Sequence, residues 1–136
     1  MTRTVPGWMA VGLVLLFLVG CRGGAQLYEV KSAPVPSPSG KELTLDQVRK
    51  EIMAAGVAAG WQLTDVKPGE LLATYNLRSH QAVVSIPYTT KDYSILYKNS
   101  SNLKYDAAAK TIHQSYAGWI QRLDGAIRSR LSAAGM

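Results

Sequence analysis

The sequence predicts an α+β domain: a two-layer sandwich of order α-β-β-β-β-α, with two helices on one face of an antiparallel meander sheet. Three observations predict it. A capping-box sequence, Thr44-Leu45-Asp46-Gln47, opens an amphipathic stretch. Segments between residues 61 and 98 alternate apolar and polar side chains. A long stripe at three- and four-residue spacing then runs from Ile112 to Leu131.

In chain order, the Thr44 hydroxyl and Gln47 amide suit the first free backbone donors of a helix. Leu45, Val48, Ile52, Ala55 and Ala59 give that helix one apolar face, and Gly60 stops it. Trp61 to Val66 reads as the first strand, closed by a Pro68-Gly69 turn. In Glu70 to Leu77, residues Leu71, Ala73, Tyr75 and Leu77 share a face. In Ala82 to Tyr88, residues Ala82, Val84, Ile86 and Tyr88 do the same. Pro87 predicts that this strand has a free edge or ends early. Thr89 to Asp92 turns the chain, and Tyr93, Ile95 and Tyr97 face inward along the last strand. Short connections favour a meander.

After a polar loop, Thr111-Ile112-His113-Gln114 reads as a second capping box. Ile112, Tyr116, Trp119, Ile120, Leu123, Ile127 and Leu131 make the helical stripe. The helices are expected to cover one sheet face and leave the other to water or a partner.

Length and composition fit one modest domain: 136 residues, 18% charged, 47% hydrophobic. One cysteine excludes an internal disulfide framework and a Cys-based zinc knuckle. Residues 1–20 read as a processing signal. Arg3 precedes the uncharged run Trp8 to Val19, whose twelve residues fall short of the about 20 that a membrane span needs. The run ends in Leu18-Val19-Gly20-Cys21, which resembles the lipobox of bacterial lipoproteins. The resemblance implies cleavage before Cys21 and lipidation of its thiol and amino group. By the same resemblance Arg22, standing where Asp usually retains inner-membrane lipoproteins, points to the outer membrane. Residues 21–41 are then expected to be a lipidated cysteine and a Pro/Ser-rich tether with no core of its own, ahead of a periplasmic domain at 42–134.

The texture from Arg78 to Trp119 carries a second resemblance. Arg78-Ser79-His80, Tyr93-Ser94-Ile95-Leu96-Tyr97, Asn102-Leu103-Lys104-Tyr105 and Ile112-His113 with Tyr116 and Trp119 resemble small, uncharacterised proteobacterial lipoproteins and periplasmic proteins. It implies a fold rather than a reaction. The candidate binding surface is Arg78, His80, Tyr97, Asn102, Tyr105 and His113, with tyrosine rings supplying flat apolar area that ends in polar tips. Core filling accounts for most of these rings.

Competing chemistries have thinner support. His80 and His113 with Asp106 or Asp92 would make an open metal site, but no His-x-x-x-His pair or carboxylate cluster accompanies them, and no metal or other cofactor is expected. A hydrolase of envelope polymers would use His80 or His113 as base, yet no Gly-x-Ser-x-Gly elbow is present. A purely structural lipoprotein is the third reading.

The net charge of +6 is spread over Lys91, Lys98, Lys104, Lys110, Arg122, Arg128 and Arg130 among others. Such a surface suits anionic lipid, lipopolysaccharide phosphates or peptidoglycan carboxylates. An exported protein has no routine encounter with nucleic acid. The expectation is therefore a non-catalytic binding or assembly protein, partnered by the membrane through its lipid and by an envelope protein, peptidoglycan or anionic lipid.

Overall fold

The computed structural model describes residues 24–136. The expected signal peptide and Cys21 lie outside the described residues. The elements run β1 (Ala25–Gln26), β2 (Val30–Pro34), α1 (Leu45–Ala58), β3 (Gln62–Lys67), β4 (Glu70–Leu77), β5 (His80–Pro87), β6 (Asp92–Ser101), β7 (Thr111–Ile112) and α2 (Tyr116–Ala134).

The architecture is the expected α+β sandwich, with one strand more in its main sheet. That sheet has the order β2-β6-β5-β4-β3, and every pairing is antiparallel. Strands β3 to β6 form the meander that the alternation predicts. Leu71, Ala73, Ala82, Val84, Ile86, Tyr93 and Ile95 point inward and are buried. Their alternates Leu72, Thr74, Val83, Ser85 and Leu96 are half-buried on the opposite face. Both helices cover the inward face, and Val48, Ile52, Ala55, Tyr116, Ile120, Leu123, Ile127 and Leu131 complete one contiguous core. Each large aliphatic residue buried this way contributes about 1.5–3 kcal/mol.

Local details follow from side-chain chemistry. The Thr44 box forms as expected: Gln47 N–H donates to Thr44 Oγ1 (3.2 Å), and Thr44 N–H donates to Gln47 Oε1 (2.8 Å). Leu45, predicted on the apolar face, is 38% exposed. Gly56 lies buried in mid-helix, where an added Cβ would meet Leu63 Cδ1 at 2.2 Å. The missing side chain lets β3 approach α1 closely. Pro87 ends β5 beside Glu70 of β4, which matches an early strand end, since proline has no N–H for the ladder.

Two expectations need correction. The stretch expected to be a tether is largely part of the fold. β2 pairs with the free edge of β6 through Val30↔Ile95, Ala33↔Tyr93 and Pro34↔Asp92. Val30 and Ala33 enter the core, and Val35 N–H donates to Lys91 O. The Ser39 hydroxyl donates to Gly135 O at 2.7 Å, docking the proline-rich connection on the end of α2. Edge pairing, rather than composition, decides the conformation here.

The second capping box does not form. Thr111 and Ile112 pair with Gln26 and Ala25 as a small ribbon, and α2 begins after Ser115 without a side-chain cap. Ile112 still enters the same core as the α2 stripe, which explains its helical phase. Among the described residues, no helix is long and apolar enough to cross a membrane.

Candidate functional site

The candidate residues gather at one end of the sandwich. The β4–β5 hairpin turns through Arg78 and Ser79, with Leu77 opposite His80. β6 ends at Ser101, and Asn102 Nδ2 donates to Ser79 Oγ at 2.9 Å, tying the two chain reversals together. His113 N–H donates to Leu103 O, which brings the approach to α2 against the same loop.

Residues 33 positions apart in sequence thus become neighbours: the His80 and His113 ring centroids are 5.4 Å apart. Their hydrogen bonds assign different tautomers. His80 Nδ1 lies 2.8 Å from Asn102 O, and a carbonyl only accepts, so His80 carries its proton on Nδ1. Ser115 N–H donates to His113 Nδ1 at 3.1 Å, so the neutral His113 ring carries its proton on Nε2. Both rings are half-buried. Beneath them runs a relay of aromatic contacts: His80 to Trp119 at 6.5 Å, Trp119 to Tyr75 at 5.1 Å, and Tyr75 to Trp61 at 5.1 Å.

The tyrosines form a second group beside the start of α2. Tyr97 and Tyr105 stack at 4.0 Å, and Tyr97 meets the edge of Tyr116 at 6.2 Å. The Tyr97 and Ser100 hydroxyls are 2.8 Å apart, and Glu29 accepts the Tyr97 backbone N–H at 2.8 Å. Tyr116 is fully buried, and among the described residues its hydroxyl has no hydrogen-bond partner. Burial, and then the nearby Glu29 carboxylate, hold its phenol above the ordinary tyrosine range.

All six predicted surface residues therefore belong to one end, in two adjoining groups: Arg78, His80, Asn102 and His113, then Tyr97 and Tyr105. Trp61 and Glu29 escaped the sequence reading. Trp61 reads only as the start of a strand, and Glu29 lies in the stretch expected to be a tether. Asp92 is far from the histidines, beside the β5–β6 turn, where its Oδ1 lies 3.1 Å from Thr89 Oγ1. Asp106 is committed to its own turn, accepting from the Ala108 and Ala109 N–H groups at 3.0 Å. Among the described residues, no group of three or more His, Cys, Asp or Glu side chains is placed to hold a metal ion.

Backbone geometry marks the same end. Arg78, Asn102, Lys104 and Lys110 have φ between 52° and 58°, in the left-handed region. That conformation costs a residue with a Cβ about 1 kcal/mol, with asparagine the best tolerated.

The opposite end carries a different feature, not anticipated from sequence. Leu45, Asp46, Arg49, Asp65, Lys67, Pro68 and Tyr88 line a cleft of about 480 Å³. Arg49 Nε and NH2 donate to the two Asp65 oxygens at 2.7 and 2.5 Å, a bidentate pair across α1 and β3. The Arg49 hydrogen bonds hold the Asp65 carboxyl below its usual range. The cleft lies at the β3–β4 turn and the start of α1, a full strand length from the histidines.

The chain matches no protein-family model, no curated protein and no solved structure.

Proposed function

We propose that this chain is a lipid-anchored protein of the bacterial cell envelope that acts by binding or assembly rather than by catalysis. The observation that carries the proposal is the apolar run ending in Leu18-Val19-Gly20-Cys21 behind a short basic start. Three acyl groups on the new N-terminus would give an anchor beyond the two signals that stable attachment needs. Arg22 after the cysteine favours the outer membrane, facing the periplasm.

The ring geometry supports binding over the hydrolase reading. Each histidine commits one nitrogen to the backbone, and among the described residues neither bonds to a carboxylate or a hydroxyl. Activated nucleophiles need such a base contact, and the base needs a third group to orient it. The adjacency of His80 and His113 is the feature that favours hydrolysis. An activity on envelope polymers that His113→Ala removes, with the melting temperature unchanged, would decide for it.

Cys21→Ala tests the anchor. The variant is expected to lose fatty-acid labelling and to leave the membrane fraction, and continued labelling would overturn the proposal. Arg22→Asp is expected to move the labelled protein from the outer-membrane to the inner-membrane fraction on a density gradient.

A further inference from the structure

The anchoring proposal has a geometric consequence for the cations at one end. Only residues 22–24 separate Cys21 from β1. Fully extended, they bridge about 14 Å. A folded chain of this size has a radius of gyration of about 13 Å, hence a breadth more than twice that reach. A lipid on Cys21 therefore keeps the β1 end of the domain at the bilayer and the far cleft away from it.

The β1 end is the end of the candidate site. Ala25 and Gln26 pair with Ile112 and Thr111, and Leu27 N–H donates to Lys110 O. Arg78, Lys104 and Lys110 are exposed at this end. Each holds a left-handed backbone position where glycine or asparagine would be relaxed. Among the described residues none of the three is ion-paired. Arg49, Lys50, Lys67, Arg128 and Arg130 each sit against a carboxylate. Lys31, Lys41, Lys91, Lys98 and Arg122 share the lack of an ion pair among the described residues, so it is the position beside β1 that sets Arg78, Lys104 and Lys110 apart. The acidic groups nearby are already engaged, Glu29 by the Tyr97 N–H and Asp106 by its own turn.

We infer that Arg78, Lys104 and Lys110 form a membrane-apposed face that binds the anionic phospholipid headgroups of the bilayer carrying the anchor. The inference rests on the anchoring proposal. Short attachment supplies proximity, and the unpaired cations supply the charge complementarity. Strain kept at loop positions is expected where the side chain has a task that the fold alone does not require.

The test uses full-length lipidated protein in nanodiscs of zwitterionic or of mixed zwitterionic and anionic phospholipid. Fatty-acid labelling is read on the same preparation, and amide hydrogen exchange is followed at residues 77–80 and 102–113. Exchange is expected to slow roughly tenfold in anionic discs alone and to recover in high salt, consistent with about one kT or more per cation at such a surface. The triple variant Arg78→Gln/Lys104→Gln/Lys110→Gln is expected to lose this protection, while Lys91→Gln at the far end keeps it. Labelled protein with no protection, or with equal protection in both discs, overturns the headgroup face and leaves the anchor standing. Protection that appears only with added peptidoglycan fragments overturns it too. Absence of label overturns the anchor and this face together.

Discussion

The Tyr93 hydroxyl donates to Asp124 Oδ1 at 2.5 Å, joining the inward face of β6 to the buried side of α2. Asp124 is 7% exposed, and its other oxygen takes Arg128 Nε at 3.0 Å. This is a polar bolt through an otherwise apolar interface. Its worth lies in being complete, since a buried group left without its partner carries the full desolvation penalty.

Tyr93→Phe keeps the ring and removes only the donor. It is expected to destabilise by about 1–3 kcal/mol, because one carboxylate oxygen stays buried and unmatched. Urea unfolding measures this through the midpoint at constant slope. A loss of less than about 0.5 kcal/mol would show that the bolt contributes nothing net.

Tyr116 predicts the opposite sign. Among the described residues its buried hydroxyl has no hydrogen-bond partner, so Tyr116→Phe deletes a desolvated polar group without breaking a hydrogen bond. The melting temperature is expected to hold or to rise by a few degrees, since about 1 kcal/mol moves a domain of this size by roughly 4–8 °C.

Alkaline pH tests both phenols together. Burial raises Tyr93 and Tyr116 above the ordinary value near 10, helped by Asp124 and Glu29 respectively. Above pH 10 the unfolded chain releases these protons while the folded one keeps them, so the unfolded state binds fewer. Stability is then complete below about pH 10 and falls as pH rises, by about 1.4 kcal/mol per pH unit for each phenol. Melting curves between pH 8 and 11 are expected to show this decline, and it should be shallower in Tyr116→Phe. An equal decline in that variant would place the alkaline sensitivity elsewhere.

Strand β2 makes a prediction about where the domain begins. A chain starting at residue 41 loses Val30 and Ala33 from the core and leaves the β6 edge unpaired. It is expected to be less stable by more than about 3 kcal/mol than a chain starting at residue 24, and to associate through the bare edge. Denaturant melts and light scattering of the two chains measure the difference. Equal stability would mean that β2 is dispensable.

The reason β2 was hidden in the sequence is a bulge. The register shifts between Val30 and Ala33, and Ser32 has φ of 50°, so the two buried residues stand three apart rather than two. Period-two alternation, which revealed β4, β5 and β6, cannot register such a strand. The start of α2 was misplaced because the partner of Thr111 is Gln26, 85 positions earlier, and no local window contains that information. His80, Asn102 and His113 could be singled out as chemistry-bearing residues, and they do meet. What sequence could not supply was the placement of β1 at that end, which depends on the β1–β7 ribbon. The cleft was equally invisible, because its Arg49–Asp65 pair joins α1 to β3 across 16 positions of sequence.

The strained cations give the last prediction, one that separates stability from surface function. At Arg78 the left-handed backbone opposes the side chain's Cβ, and glycine would relieve that opposition. Arg78→Gly is therefore expected to stabilise the fold by about 0.5–1 kcal/mol, despite the greater freedom glycine has when unfolded. The same substitution removes a cation from the headgroup face and should weaken its protection in anionic nanodiscs. Arg78→Gln separates the two effects, since it keeps the strain and loses the charge. If Arg78→Gly were less stable than the parent, the side chain would be holding the turn through its own packing. The left-handed position would then not be strain retained for a surface task.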